Sequence, residues 1–275
     1  MPIQATDNPA TRSIAAEIEV PGTPEQVWQA IATGPGISAW FTPAEVEERK
    51  GGAVVFRLGA GMDSTAEVTA WEPPHRFAYE ERDWSPGAPP LATEVVVETR
   101  AGGHCLVRLV SSLFTSSAEW DDQLASMERG WPPFFHILRL YLSRFAGQPC
   151  SSVRVTGHAP GPEDRAWAQL GDAFGLANAQ VGERRETAPG APRLSGVVDR
   201  VAGHEVILRL DEPAPGAALI GAFTWEGRVL ITLHLFLYGE QAAAVVAGEE
   251  AAWWRWMEER YPVAAPGGEA GTAAS

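Results

Sequence analysis

Apolar and polar residues alternate with a period of two along much of the first half of the chain, as they do in half-buried β-strands. In the segment "SIAAEIEV", for example, Ile14, Ile18 and Val20 alternate with small or acidic residues. The alternation predicts strands at Ser13–Val20, Ala53–Leu58, Thr65–Trp71, Arg76–Arg82, Thr93–Arg100 and His104–Phe114. Because short segments rich in Gly and Pro join most of them, these strands should pair as one antiparallel sheet.

Two short helical segments are predicted after the first strand. Thr23 suits an N-cap, Pro24 suits the first helical position, and Gln26 completes a capping box with Thr23. The triplet Gly34-Pro35-Gly36 should end this helix, and Ile37–Phe41 should begin a second short turn.

A long helix is predicted at Trp131–Phe145, with Pro132 and Pro133 in its first turn, where proline is tolerated. Its apolar residues recur at helical spacing and form a wide stripe. A helix this apolar needs a surface on which to lie, and the predicted sheet supplies one. The fold class expected from these patterns is α+β.

The same order of patterns starts again after the long helix. Ser151–Ala159 alternates like the first strand, Trp167 takes the place of Trp28 in a new Pro-Glu helix start, and four more strands lead to a helix from about Glu240 to Tyr261. We interpret this as an internal duplication with a shorter second copy. The expected organisation is a flexible N-terminus at 1–12, a first domain at 13–148, a second domain at 149–262 and a disordered tail at 263–275.

The order of elements resembles the SRPBCC or START-like superfamily, and within it the domain named after the activator of Hsp90 ATPase homologue. The resemblance rests on Pro24–Trp28, Trp40-Phe41, Val68–Glu80 and Gly130–Pro132, and it covers about residues 13–146. It implies a helix-grip (START/Bet v 1-like) fold, in which a curved antiparallel sheet surrounds a long C-terminal helix. It also implies a mostly apolar, ligand-binding cavity between sheet and helix.

Composition argues against several other classes of protein. The formal net charge of -14 opposes binding to nucleic acid phosphates, and no apolar run reaches the roughly 18 residues of a membrane helix. The N-terminus lacks the pattern of a secretory signal, and two cysteines are too few for a disulfide framework, so a cytoplasmic location is expected. HExxH, CxxC and GxSxG patterns are missing and the histidines are scattered, so neither a metal nor a cofactor is expected.

Aromatic and polar residues on the strands and the long helix are the candidates for a site. Arg108 shares a face with Leu106 and Val110, so it is a candidate to bind the carboxylate or phenolate end of a ligand. The pattern favours the alternative, an arginine on the outer surface of the sheet that pairs with Glu94 or Glu98. Glu67 and Asp63 would form a carboxylate pair for acid–base chemistry, and an exposed strand edge explains them as well. The cavity candidates are Trp40, Phe56, Glu67, Trp71, Tyr79, Arg108, Trp120, Trp131, Phe135 and Leu138.

Two features of the second half concern its core. His234 lies in an apolar strand, so it is interpreted as a buried histidine that needs a partner. Trp253, Trp254 and Trp256 cannot all face inward, because neighbours on a helix diverge by about 100°. At least one of these tryptophans should be exposed or lie in an interface.

Three functions from different classes are compatible with these patterns. The preferred one is a soluble START-like protein that binds a small hydrophobic molecule in its cavity without catalysis. The alternatives are a cyclase, aromatase or hydrolase that uses Arg108, Tyr79 or Glu67, and an interaction module or co-chaperone related to Hsp90. The expected partner is a small hydrophobic ligand, without nucleic acid or membrane insertion. A homodimer is left open, and Hsp90 is not expected as a partner.

Overall fold

The structure is a computed structural model that describes residues 11–59, 63–225 and 227–262, and it divides the chain into two units. The first unit contains the described residues up to Ser152 together with Tyr238–Glu240. The second contains Val153–Leu237 and the described residues from Gln241 onward. The predicted tail at 263–275, and the predicted N-terminal segment as far as residue 10, lie outside the described residues.

The first unit is built on seven strands: β1 (Arg12–Pro21), β2 (Ala44–Val46), β3 (Ala53–Phe56), β4 (Ser64–Glu72), β5 (Arg76–Glu81), β6 (Leu91–Arg100) and β7 (His104–Leu113). They form one antiparallel sheet in the order β1-β7-β6-β5-β4-β3-β2. The six strands predicted from the alternation are confirmed to within a few residues at their ends. The sequence reading missed β2, because three residues are too short to display a period.

Two short helices, α1 (Pro24–Ala32) and α2 (Gly34–Ser38), lie between β1 and β2. The predicted capping box at the start of α1 is confirmed. The N–H of Gln26 donates to Thr23 Oγ1 at 3.3 Å, and the N–H of Thr23 donates to Gln26 Oε1 at 2.9 Å. These two bonds give hydrogen-bond partners to two backbone N–H groups at the start of α1, and they fix the direction in which α1 leaves the sheet.

The predicted end of the first helix before the Gly-Pro-Gly triplet is confirmed, but the second helix begins at Gly34 and not at Ile37 as expected. Thr33 is the N-cap of α2, and its hydroxyl accepts from the N–H of Gly36 at 3.1 Å. A Cβ atom on Gly36 would lie 1.8 Å from the carbonyl oxygen of Gln29. Glycine is therefore required here for α2 to pack closely against α1.

The long helix of the first unit, α3 (Asp121–Arg144), follows a short 3₁₀ helix at Ala118–Trp120 and begins well before the predicted start. Pro132 and Pro133 therefore lie inside the helix and not in its first turn. Because proline has no N–H, the carbonyl groups of Glu128 and Arg129 lack their usual helical partners. Both residues are exposed, so water can bind these carbonyl groups in place of the missing N–H groups.

The second unit is built from β8 (Cys150–Ala159), α4 (Glu163–Ala173), β9 (Arg184–Glu186), β10 (Ser195–Ala202), β11 (Glu205–Glu212), β12 (Gly216–Trp225), β13 (Arg228–Tyr238) and α5 (Ala242–Arg260), except that the first three residues of β8 and the last residue of β13 are assigned to the first unit. Its sheet has the order β8-β13-β12-β11-β10-β9, which repeats the topology of the first sheet with one strand fewer. The described residues between α4 and β9 form turns where the first unit has α2. The predicted duplication with a shorter second copy is confirmed.

Two tryptophans of α5 pack into the core of the second unit. Trp253 and Trp256 are buried and contact Phe174, with ring centroids 6.1 Å and 5.2 Å apart, whereas Trp254 is 36% exposed. The prediction that the three tryptophans cannot all face inward is confirmed. No helix within the described part of the chain is long and apolar enough to cross a membrane.

Candidate functional site

A narrow cavity lies in the first unit, where the inner face of the sheet approaches α2 and α3. Its volume is about 370 Å³ including the space at its mouth, but the centre of a water molecule can reach only about 20 Å³ of it. In this shape the cavity holds one or two water molecules and not a larger ligand. Its lining is almost wholly apolar and includes seven aromatic rings: Trp40, Phe41, Phe56, Phe77, Tyr79, Trp131 and Phe135.

Phe41 and Trp131 form the mouth of the cavity. They are the two lining residues that remain partly exposed, and their ring centroids lie 5.2 Å apart. Phe41 also contacts Phe56 on the sheet at 6.2 Å and Phe134 on α3 at 5.0 Å.

Local structure fixes the positions of the aromatic residues. Trp40 follows α2 directly, and its indole Nε1–H donates to the carbonyl oxygen of Ala30 at 2.9 Å, which holds the ring against α1. Phe77 and Tyr79 project from the same face of β5 because side chains alternate along a strand. Trp131 and Phe135 are four residues apart, so they share one face of α3.

A row of hydroxyl groups crosses the otherwise apolar inner face of the sheet. Tyr79 on β5 is paired with Thr93 on β6, and Thr93 is paired with Ser111 on β7. The three residues are buried, and the Thr93 and Ser111 hydroxyls form a hydrogen bond of 3.0 Å. Burial raises the pKa of Tyr79, as does the nearby Glu81, while a hydrogen bond with Thr93 opposes the shift. The Tyr79 hydroxyl therefore remains protonated at neutral pH.

A carboxyl group lies beside this hydroxyl row. Glu81 is two residues beyond Tyr79 on β5, so the two side chains share the inner face. The hydroxyl of Ser64 donates to Glu81 Oε1. Burial raises the pKa of Glu81, and the hydrogen bond from Ser64 partly opposes this effect.

Five of the ten predicted cavity residues line the cavity: Trp40, Phe56, Tyr79, Trp131 and Phe135. Three others are packed elsewhere in the first unit. Trp71 contacts Trp28 with ring centroids 5.0 Å apart, Trp120 contacts Trp84 at 5.6 Å, and Leu138 is fully buried in the core of the unit.

The two charged candidates lie on the outer face of the sheet. Val107 and Leu109 point inward from β7, so Arg108 between them points outward, opposite Glu17 of β1. The sequence could not decide this orientation because both faces of β7 carry aliphatic residues. Glu67 is exposed on β4, and Arg57 Nη1 donates to Asp63 Oδ2 at 2.6 Å. The expected carboxylate pair of Glu67 and Asp63 is therefore not formed.

Sequence reasoning missed several residues of the site. Phe41 belongs to the Trp-Phe pair that carried the family resemblance, and Phe77 shares its strand face with Tyr79. Both residues could therefore have been predicted from the sequence as part of the site. Thr93, Ser111 and Glu81 had none, because their approach to Tyr79 depends on strand order and register, which the sequence does not state.

One histidine, two carboxylates and a threonine hydroxyl of the second unit form a separate polar cluster. Glu163 Oε1 lies 2.7 Å from His204 Nδ1, Asp164 Oδ1 lies 2.9 Å from His204 Nε2, and the Thr224 hydroxyl donates to Glu163 Oε2 at 2.7 Å. The hydrogen bond with His204 lowers the pKa of Glu163. Among residues 11–59, 63–225 and 227–262, no group of three or more His, Cys, Asp or Glu side chains could hold a metal ion.

His234 is buried on β13, as the sequence predicted for a core histidine. Burial lowers its pKa well below the ordinary value, and the positive charge of Arg154 acts in the same direction. The imidazole is therefore neutral at physiological pH, and its charge change is shifted into the acid range.

Comparison with known families agrees with this architecture. Residues 21–143 match the family model described as Activator of Hsp90 ATPase homolog 1-like protein. These residues are an AHSA1-like domain of the SRPBCC superfamily, so the resemblance inferred from the sequence is confirmed for the first unit. No curated protein is significantly similar in sequence to the chain.

Several solved structures are similar to the chain. Protein MLL2253 from Mesorhizobium loti is 21% identical with a TM-score of 0.44, and the alignment covers 49% of this chain and 98% of that protein. The di-domain ARO/CYC BexL from the BE-7585A biosynthetic pathway is 12% identical with a TM-score of 0.43, covering 92% and 100%. DynU16, from the dynemicin biosynthetic locus, is 15% identical with a TM-score of 0.42, covering 89% and 95%.

Proposed function

We propose that the first unit binds a small, flat, mostly apolar molecule in the aromatic cavity and that this binding, without catalysis, is its function. The observation that carries the proposal is the set of seven aromatic rings around one cavity whose mouth is formed by two partly exposed rings. Aromatic faces favour flat ligands, since offset and edge-to-face contacts add to the burial of apolar area. A largely apolar, concave lining with few polar groups is the usual form of a small-molecule site.

Ligand entry requires the cavity to widen, because in its present shape it has room for water only. The wall that carries Trp131 is suited to such a movement. Pro132 and Pro133 remove two helical hydrogen bonds next to Trp131, and Gly130 precedes it at a position where even an added Cβ atom would meet nothing within 4 Å. Movement of Trp131 away from Phe41 would open the cavity without disturbing the sheet.

A second candidate function is an enzyme of the cyclase, aromatase or hydrolase kind. Glu81 and Tyr79 favour it, because a carboxyl group with a raised pKa beside a buried tyrosine is a common arrangement for proton transfer. Arg108 and Glu67 no longer support it, since both point away from the cavity. The co-chaperone hypothesis rests on a family name alone. A homodimer and a cytoplasmic location remain predictions.

Titration with N-phenyl-1-naphthylamine, followed by the emission of the probe, tests the binding proposal. We expect saturable binding to the full chain and a loss of affinity of roughly tenfold in Trp131→Leu and Phe41→Leu, because each variant removes an aromatic contact from the mouth. Trp254→Leu is the matched control, since Trp254 is a partly exposed tryptophan of the second unit. Absence of saturable binding, or equal weakening by all three variants, would contradict the proposal.

A further inference from the structure

We infer that Tyr238 is a positioning residue for the mouth of the cavity: its ring and its hydroxyl tie the end of α3 to the end of α2. The inference rests on the proposed binding function and adds to it a residue that holds the binding site in shape. Tyr238 lies outside residues 21–143, the segment that matches the family model. That segment by itself would therefore lack this support.

Tyr238 belongs to the first unit, although it is the last residue of β13, whose other residues belong to the second. Its side chain is buried and stacks on two rings at the end of α3. The ring centroids lie 4.3 Å from Phe145, at an interplanar angle of 19°, and 5.6 Å from Tyr141, at 29°. The N–H of Gly239 donates to the carbonyl oxygen of Pro149 at 2.9 Å, so the next residue is held as well.

The hydroxyl of Tyr238 reaches the end of α2. It donates to the carbonyl oxygen of Ala39 at 2.8 Å, from 199 positions further along the chain. Ala39 is the C-cap of α2 and is only 1% exposed, so its carbonyl group has no helical partner and little access to water. Burial raises the pKa of Tyr238 well above its ordinary value, so the hydroxyl keeps the proton that it donates.

The carbonyl group of Ala39 is part of the turn that carries two rings of the cavity. Ala39 directly precedes Trp40 and Phe41, whose N–H groups both donate to the carbonyl oxygen of Ile37, at 3.2 Å and 3.0 Å. A displacement of this turn would move both rings. Because Phe41 contacts Trp131 of α3 at the mouth, a link between the ends of α2 and α3 helps to keep this pair of rings together.

Without the hydroxyl of Tyr238, the carbonyl group of Ala39 would be buried without a hydrogen bond, which is costly. The turn would relieve this cost by moving toward water, and Phe41 would move with it. Replacement of Tyr238 by phenylalanine keeps the stacked ring and removes only the hydroxyl, so it separates the effect of the link from that of the packing.

The test compares Tyr238→Phe with Tyr141→Phe in the full chain. Both variants remove a buried hydroxyl that is bonded to the backbone, but the Tyr141 hydroxyl accepts from the N–H of Gly147, at 3.2 Å. We expect the Kd of N-phenyl-1-naphthylamine to rise roughly three- to tenfold in Tyr238→Phe and to stay unchanged in Tyr141→Phe. Thermal unfolding shows that both variants are folded.

Hydrogen exchange gives a second readout that needs no ligand. In Tyr238→Phe the amides of Trp40 and Phe41 should exchange about fivefold faster than in the wild type, because the turn that they close is no longer held. The amides of β6 and β7 should keep their rates. A purely structural role of Tyr238 would instead change the exchange rates of both sets of amides together.

A third variant, Phe145→Leu, keeps the hydroxyl and removes the ring that stacks on Tyr238. It should raise the Kd about twofold, and it decides the test if Tyr238→Phe does not fold. Equal Kd values for Tyr238→Phe and Tyr141→Phe, or an unchanged Kd in Phe145→Leu when Tyr238→Phe is unfolded, would overturn the inference while the binding function stands. If the wild type does not bind the probe, the binding function itself fails, and the exchange rates of Trp40 and Phe41 alone decide the role of Tyr238.

Discussion

Equivalent strands of the two units present different residues to their cores. In the first unit, β5 presents Phe77 and Tyr79 inward, and its neighbours add the hydroxyls of Thr93 and Ser111. In the second unit, the equivalent strand β11 presents aliphatic residues only, and so do its neighbours β12 and β13. These inward residues are Val206, Leu208, Leu210, Ala218, Ile220, Ala222, Val229, Ile231, Leu233, Leu235 and Leu237.

The tryptophans of α3 and α5, the last helices of the two units, also differ in how deeply they are buried. On α5, Trp253 and Trp256 lie inside the core of the second unit, where their indole Nε1–H groups have no partner among the described residues. On α3, Trp131 lies at the edge of the first unit and remains partly exposed. The same topology thus gives a core filled by indole rings in one unit and a ring-lined cavity in the other. A cavity is therefore a property of the residues on the inner face and not of the fold.

The largest effect is expected from removing the buried ring of the second unit. Trp253→Ala should lower the free energy of unfolding by about 3–5 kcal/mol, because it deletes a fully buried indole and leaves a void. Trp131→Ala should cost only about 1–2 kcal/mol, since Trp131 is partly exposed at the cavity mouth. Urea unfolding followed by circular dichroism measures both values. Equal costs would mean that the two tryptophans do not differ in structural role.

A second prediction concerns α2, which the second unit lacks. Gly36→Ala should destabilise the protein by about 1–3 kcal/mol, because the new Cβ would meet the carbonyl oxygen of Gln29 at 1.8 Å and force α2 away from α1. It should also weaken probe binding, since α2 positions Phe41 at the mouth. Thermal unfolding and probe titration measure the two effects.

The matched control is Gly130→Ala on α3, where a Cβ atom would meet nothing within 4 Å. Alanine is favoured over glycine inside a helix, so this variant should be more stable than the wild type by about 0.5–1 kcal/mol. A destabilised Gly130→Ala variant would show that the segment before Pro132 needs the freedom of glycine.

These features differ in how far the sequence could predict them. The alternation along β1 and the capping residues Thr23 and Gln26 are local signals, and they gave the elements and the fold class correctly. The start of α3 could not be predicted, because Pro132 and Pro133 normally mark a first turn. Here they lie inside the helix, and the carbonyl groups of the exposed residues Glu128 and Arg129 are left without helical partners. The orientation of Arg108 could not be predicted for a different reason. Both faces of β7 carry aliphatic residues, so the sequence does not show which face of the strand lies against the core.

The pH dependence of stability should differ in sign between the two units. His234 of the second unit has a folded-state pKa well below its unfolded value, so the unfolded chain binds more protons as the pH falls below about 6.5. Its contribution to stability is present above that pH and is lost on acidification, at up to about 1.4 kcal/mol per pH unit. His234→Gln should reduce the difference in urea midpoint between pH 7.5 and pH 5.5.

Glu81 of the first unit should act in the opposite direction. Its folded-state pKa is raised, so its contribution to stability is present below the unfolded value near 4.3 and is lost as the pH rises through the folded value. The contribution of Glu81 to the free energy of unfolding should therefore decrease in the wild type between acid and neutral pH. In Glu81→Gln this decrease should be absent. If His234→Gln and Glu81→Gln changed the pH dependence of the free energy of unfolding in the same direction, the opposite effects assigned to His234 and Glu81 would be contradicted.

The smallest effect on stability is expected at Trp254, the neighbour of the fully buried Trp253 on α5. Trp254→Ser should change the free energy of unfolding by no more than about 0.5 kcal/mol, because the side chain is 36% exposed and fills no core space. An exposed tryptophan of this kind is typical of an interface, so the variant should be more soluble or less associated in sedimentation velocity. A variant that kept its association state but lost affinity for N-phenyl-1-naphthylamine would contradict the interface role of Trp254. It would also remove the distinction between a ligand-binding first unit and a solidly packed second one.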